Sequence, residues 1–340
     1  MRYDLVVIGA GAAGLAAALT GAHFGTVAVV EAADLGGDYA RREIPGAVLQ
    51  AACGCVLAWR RLVEGPAGPQ DMPGFAALAA RRDGTVARWR AWVRQELEAL
   101  GVEVFYGRGR LFAPDLVAVV RDGREELLEG ERVIVATGAC SPGGCGGGRV
   151  LSLEEALLLR TPPESAVVVG GDPAARALAL ALSVWGARVD LVDRQARREE
   201  IVPLREAGGR VHACPAAGIW EDERGATVRL ADGTCLRAGI AVVDPPRLPA
   251  TAGFGLEELG VATIPGGSVA VNARLETSLA GVYAAGLVAG ALSAGAAALQ
   301  GVVAAYNACG WPLALRGAEP AGPYGNPLDA YGFCDIVSVG

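Results

Sequence analysis

With 340 residues, 52% of them hydrophobic and 20% charged, the chain has material for two or three compact units with a large buried core. A formal net charge of -7 leaves no basic surface of the kind that holds phosphate backbones or anionic lipid, so nucleic acid is not an expected partner. Eight cysteines in a chain of this class fit a reducing compartment and free thiols better than a disulfide framework.

The opening MRYDLVVIGAGAAGLAAALTGAHFG is apolar, yet it carries Asp4 in its first strand and has neither a basic leader nor a cleavage site. It reads as strand, tight turn and helix, not as a signal peptide. No membrane span is expected, because the Ala/Gly-rich stretch near 284–305 is interrupted by glycines, and the expected location is the cytoplasm. TVAVVE (26–31) forms a second buried strand and completes a βαβ unit of a parallel sheet covered on both faces. Helices are expected over 46–63 and 85–100, the latter from Val86, Trp89, Val93, Leu97 and Leu100. Strands follow at 102–106, 116–120 and 132–136, and the glycine cluster 141–148 marks a crossing between domains. A second βαβ unit runs through SAVVVGG (165–171), a helix at 174–185 and RVDLVD (188–193). VYAAG (282–286) and a small-residue helix over 293–308 close the recognisable pattern, and 311–340 reads as an irregular, exposed tail.

The spacing Gly9-x-Gly11-x-x-Gly14 follows a strand and opens a helix, and Glu31 ends the next strand about 20 residues on. Gly9 permits the sharp turn, Gly11 lets the backbone approach a pyrophosphate, and Gly14 allows close helix–sheet packing. The helix N-terminus supplies oriented N–H groups for phosphates. Glu31 can accept the hydroxyl protons of an adenosine ribose.

Taken in order, GAGAAG with Glu31, LGGDYARREIPGAVL (35–49), VEVFYGRGRLFAPDLVAV (102–119), VIVATGA (133–139), VVVGGDPAARALA (167–179), RLPATAGFGLEELGV (247–261), TSLAGVYAAG (277–286) and LQGVVAAYNACG (299–310) resemble the flavin-dependent pyridine nucleotide-disulfide oxidoreductases, in the dihydrolipoamide dehydrogenase and mercuric reductase branch. The resemblance implies an α/β fold of two Rossmann-like domains, glutathione reductase-like, with the NAD(P)-type domain inserted in the FAD domain. The implied boundaries are 1–155 and 251–310 for the FAD domain, 160–250 for a degenerate NAD(P)-like domain, and 311–340 for the tail. It implies FAD as cofactor, held by Gly9, Gly11, Ala12, Ala13, Gly14 and Glu31. Gly36 and Gly37 would face the flavin, Ala136, Thr137 and Gly138 would close over the nucleotide, and Gly286 with Leu287 would lie near the ribityl chain.

The chain departs from that pattern at each functional step. Tyr39 and Glu43 stand where the resemblance places two redox cysteines, and Ala47 stands where it places a lysine, so these two residues become the candidates beside the flavin and Glu43 a buried carboxyl with a raised pKa. Cys53 and Cys55 lie further along the same helix, where a C-x-C pair points in divergent directions and suits no disulfide. Cys140 and Cys145 flank a glycine-rich loop that could close more easily, and no metal site is expected from either pair. In the second fold Asp172 replaces the middle glycine, which disfavours a pyrophosphate by bulk and charge, although Asp193 still ends the following strand. NAD(P) binding is therefore expected to be weak or absent. Leu287 replaces the acid that would anchor FAD, His23 reads as a surface or packing residue, and His212 has no identifiable acid partner. The chain also stops about where a C-terminal interface domain would begin, and nothing in the sequence fixes an oligomeric state. The expectation is an FAD-dependent oxidoreductase exchanging electrons with a protein redox partner; the alternative is a non-catalytic, reductase-like binding or regulatory subunit of a multienzyme assembly.

Overall fold

A computed structural model describes residues 1–62, 73–140, 148–315 and 337–339. β1 (Arg2–Ile8), α1 (Ala12–Gly21) and β2 (Val27–Glu31) form the expected first βαβ unit. A π-helical turn (Tyr39–Glu43) runs into α2 (Ile44–Leu62), followed by α3 (Phe75–Ala99). Next come β3 (Glu103–Tyr106), β4 (Arg108–Ala113), β5 (Leu116–Arg121), β6 (Arg124–Val135) and the short β7 (Ala139–Cys140). The second nucleotide fold comprises β8 (Val150–Ser152), α4 (Leu153–Ala156), β9 (Ser165–Val169), α5 (Pro173–Val184), β10 (Arg188–Val192), α6 (Arg198–Glu206) and β11 (Arg210–His212). It continues through β12 (Ala216–Asp222), β13 (Gly225–Leu230), β14 (Cys235–Ala238) and β15 (Ile240–Val243). β16 (Leu248–Pro249), β17 (Val282–Ala284), α7 (Ala294–Ala308), β18 (Leu313–Leu315) and β19 (Val337–Val339) complete the chain.

The chain divides into two compact units. Unit 1 takes residues 1–39, 89–140 and 247–340, and unit 2 takes 40–88 and 141–246. Residues 40–88, expected with the first part of the FAD domain, thus group with the second fold.

In unit 1 the sheet runs β3-β2-β1-β6-β5-β4, with β17 also pairing β6. β3, β2, β1, β6 and β17 are parallel, whereas β4 and β5 turn back as an antiparallel ribbon on the first half of β6. All five side chains of β2 are buried, as a central parallel strand requires. Helix α1 packs on α7 almost backbone to backbone: a Cβ at Gly301 would overlap the carbonyl oxygen of Ala13. That approach places the first turn of α1 beside Ala136 and Ala285 in one core.

In unit 2 the parallel sheet runs β11-β10-β9-β15-β8, beside a three-stranded antiparallel sheet β12-β13-β14 that the sequence reading did not anticipate. Helices α2 and α5 lie in one core with Phe75 and Leu78, where Leu49 and Cys53 are fully buried. α3 begins ten residues earlier than its periodicity suggested. The segment FAALAARRDG breaks the apolar period, yet Phe75 packs edge-on against Trp185, and buried Arg82 pairs with Asp83 and donates to the carbonyl of Leu159.

Two further expectations are corrected. His212 does have an acid partner: its Nε2 lies 2.7 Å from Asp190 Oδ1, and Arg210 binds the same carboxylate through two hydrogen bonds at 2.7 and 2.8 Å. The partner was missed because Asp190 sits 22 residues away on the neighbouring strand. The tail is not wholly irregular, since β18 pairs antiparallel with β19, Leu315 opposite Val337; residues 316–336 lie outside the described residues, as does Cys145. Six cysteines, Cys140 among them, are free among the described residues.

Gly301→Ala forces a methyl group into a filled contact and is expected to destabilise the chain by about 1–3 kcal/mol, read as a lower denaturation midpoint. Burial by itself would raise the pKa of Asp190, but the hydrogen bonds from Arg210 and His212 hold it below the ordinary value. Its stabilisation is therefore complete above the unfolded carboxyl range and disappears as pH falls through the folded value. Asp190→Asn should lower stability by about 1–3 kcal/mol at neutral pH. In parallel denaturation curves that deficit should vanish in acid.

Candidate functional site

The carboxyl edge of the unit 1 sheet is lined by small residues. At the end of β1, Gly9 takes φ +102°, and its Cβ would overlap the carbonyl oxygen of Ala136, which follows β6. A Cβ at Gly14 would overlap the carbonyl oxygen of Gly9 itself, so α1 can start here only with glycine at that position. Gly11 differs from both. It is the N-cap of α1, has an ordinary φ of -74°, and a Cβ there would meet nothing within 4 Å.

No side chain caps α1, and its first turn carries no acid. Its first intrahelical bond of this kind is the Leu15 amide to the Gly11 carbonyl at 2.9 Å. The N–H groups of Ala12, Ala13 and Gly14 are thus offered at a helix end with its partial positive charge intact. Open space at Gly11 together with these amides fits the pyrophosphate of FAD.

Glu31, only 8% exposed, accepts from the Ala10 amide through Oε2 (2.7 Å) and from the Ala33 amide through Oε1 (2.9 Å). Each carboxylate oxygen retains acceptor capacity, so the two amides aim the group while leaving room for ribose hydroxyls. The Gly36 amide donates to the Ala10 carbonyl at 2.8 Å, and a Cβ at Gly37 would lie 3.3 Å from Gly11 Cα. Both glycines therefore abut the fingerprint. Thr137 Oγ1 donates to the Ala250 carbonyl at 2.6 Å, and the Ala250 amide donates back to Gly138 at 3.0 Å. The Gly286 amide donates to buried Gln300 Oε1 at 2.8 Å, and Leu287, half-buried, opens a short 3-10 turn. Gln300 carries this contact without any sequence signal, being one of two amide side chains, with Asn307, on a helix of mostly small apolar residues.

The loop after β2 is tied to the second half of α3. Arg90 pairs with Asp34 at 3.1 Å and donates to the Leu35 carbonyl, Arg247 pairs with Asp38, and the half-buried Tyr39 ring lies 5.3 Å from that of Trp89. Glu43, in unit 2, is exposed and not buried as expected. Its carboxyl is nonetheless raised, by desolvation from the surrounding protein and by Asp172, against an opposing pull from Arg42. Cys53 is fully buried and its thiol is pushed up to about 12, which removes thiolate character. His23 is exposed and lines a shallow surface pocket of about 320 Å³ with Leu19, Thr20, Phe24, Val302 and Tyr306.

The carboxyl edge of the unit 2 sheet has the opposite chemistry. Asp172 is the N-cap of α5, and its Oδ1 accepts from the Ala174 amide at 2.8 Å. Its Oδ2 lies 3.3 Å from Nη2 of Arg42, a residue 2% exposed that the sequence reading passed over because arginines seldom bury. Arg42 also pairs with Asp244 (2.5 Å) and Glu154 (3.0 Å). Burial opposes its charge, but Asp244 and Asp172 keep it firmly protonated. Asp193, the acid at the end of β10, is engaged by Arg176 Nε at 2.8 Å and by the Gln195 amide at 2.9 Å. Among the described residues, no group of three His, Cys, Asp or Glu is arranged to hold a metal ion, and no helix is long and apolar enough to cross a membrane.

Comparison with known proteins agrees with this architecture. The family model of the pyridine nucleotide-disulphide oxidoreductases matches residues 3–308. The chain is 31% identical to a dihydrolipoyl dehydrogenase of Thermus scotoductus over 91% of its own length and 71% of that protein's. It is 29% identical to a soluble pyridine nucleotide transhydrogenase of a Marinomonas species, over 100% of its own length and 76% of that protein's. Among solved structures, LpdA of Mycobacterium tuberculosis superposes with a TM-score of 0.79 at 27% identity, covering 95% of this chain and 74% of that one. The two-nucleotide-fold reading is thus borne out, and the chain belongs to the pyridine nucleotide-disulphide oxidoreductase family of FAD-dependent oxidoreductases.

Proposed function

We propose that this chain holds FAD at the carboxyl edge of unit 1 and exchanges electrons with a partner protein, without a redox disulfide and with NAD(P) bound weakly or not at all. The open, uncapped start of α1 at Gly11 carries the reading. Gly9 and Gly14 are needed for packing and would persist in an empty scaffold, whereas a side chain at Gly11 would meet no protein atom. Glycine there keeps that space free for a ligand's phosphates.

FAD, when bound, supplies one- and two-electron chemistry. The chain's own residues bind and orient it: the amides of Ala12, Ala13 and Gly14 meet the phosphates, Glu31 accepts from the ribose, and Gly36, Gly37, Ala136, Thr137 and Gly138 wall the crevice with little bulk. By the family resemblance Tyr39, held against Trp89, and Glu43 are the candidates for the flavin's reacting side. Neither can form a thiolate or a disulfide, and Cys53 is too buried and too weakly acidic to substitute. The non-catalytic alternative draws on the side chains that fill the second crevice.

Gly11→Asp transplants the capping arrangement of unit 2 into unit 1. Aspartate caps helices within a few tenths of a kcal/mol of glycine or better, so the flavin-free chain should melt within about 0.5 kcal/mol of wild type. Its flavin content after purification should nevertheless fall roughly tenfold or more, through charge and bulk at the phosphate site. Equal flavin content in both chains would sink the assignment. In a second measurement, the purified chain should be yellow and its flavin absorbance should survive anaerobic NADH or NADPH while dithionite removes it. A colourless chain with no flavin by mass spectrometry would favour the non-catalytic subunit.

A further inference from the structure

The strand order of unit 2, β11-β10-β9-β15-β8, reverses between β9 and β15, and open parallel sheets bind their ligands outside the strand ends at such a point. Here each bank of that crevice sends in a carboxylate. Asp172 follows β9 and Asp244 follows β15, and a Cβ at Gly170 would come within 2.7 Å of Asp244 Cβ. One buried guanidinium, that of Arg42, reaches across to both acids and to Glu154.

The start of α5 is spent in the same way. Pro173 has no amide hydrogen, the Ala174 amide is taken by Asp172, and the Arg176 amide bonds the Asp172 carbonyl. Among the first three residues of α5 only Ala175 offers an N–H, where α1 offers three. The backbone of α2 closes in as well: a Cβ at Gly46 would lie 3.0 Å from Ala174 Cα. Charge counts in the same direction. Three acids share Arg42, and beside them Asp193 and Glu200 share Arg176. A dianionic pyrophosphate would enter a field already negative.

We infer that the Asp172 carboxylate, clamped by Arg42, is an internal occupant of the phosphate subsite of the second nucleotide fold, and that this one side chain decides whether the fold accepts NAD(P)H. The inference rests on the weak-nicotinamide reading above and supplies its physical cause. Asp172 does for α5 what a ligand phosphate does at an open helix end: it satisfies an amide and neutralises the partial charge.

Titration of the full-length purified chain with NADH and NADPH, followed by nucleotide fluorescence and equilibrium dialysis, tests this in wild type, Asp172→Gly and Asp172→Asn. Wild type is expected to show no saturation at millimolar nucleotide. Asp172→Gly should bind roughly tenfold tighter or better, and Asp172→Asn, which keeps the cap but drops the charge, should fall between. Thermal melts identify a misfolded glycine variant, in which case the asparagine variant decides alone. Weak binding by wild type and by both folded variants would overturn the inference and leave the weak-nicotinamide reading standing. Tight binding by wild type would overturn both.

Discussion

The start of α1 pressed against the ends of β1 and β6 is the contact on which unit 1 depends. Gly14 touches the carbonyl of Gly9, Gly9 touches the carbonyl of Ala136, and Gly301 touches the carbonyl of Ala13, so four backbone segments meet with no side chain between them. Such packing is unforgiving, because a single methyl group has nowhere to go. It also leaves a helix end, a strand end and an acid converging on one small volume, which is what an adenosine diphosphate group needs.

The two nucleotide folds repeat this plan down to single hydrogen bonds. The Gly9 amide donates to Val30 and the Gly170 amide to Val192; Glu31 receives the Ala33 amide and Asp193 the Gln195 amide. Against that shared frame the folds differ at the helix cap and in what meets the terminal acid. Gly11 leaves the first site open, and Glu31 is held by backbone alone. Asp172 fills the second, and Asp193 is held by an arginine side chain.

Much of this was legible in the sequence because it is local. Glycine spacing, buried β-branched runs and the acids at 31 and 193 each lie within one βαβ unit, and the structure brings them together as expected. What was not legible is long-range. Arg42 meets Asp244 across 202 residues, Asp190 meets His212 across a strand pair, and Gln300 reaches Gly286 from a helix with no polar pattern. The early start of α3 was hidden for a related reason, since its first ten residues are held by Trp185 and Leu159 and not by any periodicity of their own. Asp172 stands out in the sequence as the residue in place of a glycine; its capping of α5 is local, but its partner Arg42 lies more than 120 residues upstream.

The placement of β17 has a consequence for how the protein is made. Val282–Ala284 adds to β6 beside Val133–Val135, and α7 then seals α1. Both arrive only after all of unit 2 has left the ribosome. The N-terminal βαβ unit must therefore persist, with one flank of its sheet and the face of α1 uncovered, while well over a hundred residues are synthesised. Pairings of such long sequence separation form slowly. Nascent chains of this protein would thus pass through a stage in which a bare parallel strand is available to chaperones or to wrong partners, and the crevice at the start of α1 would be among the last features of the molecule to take shape.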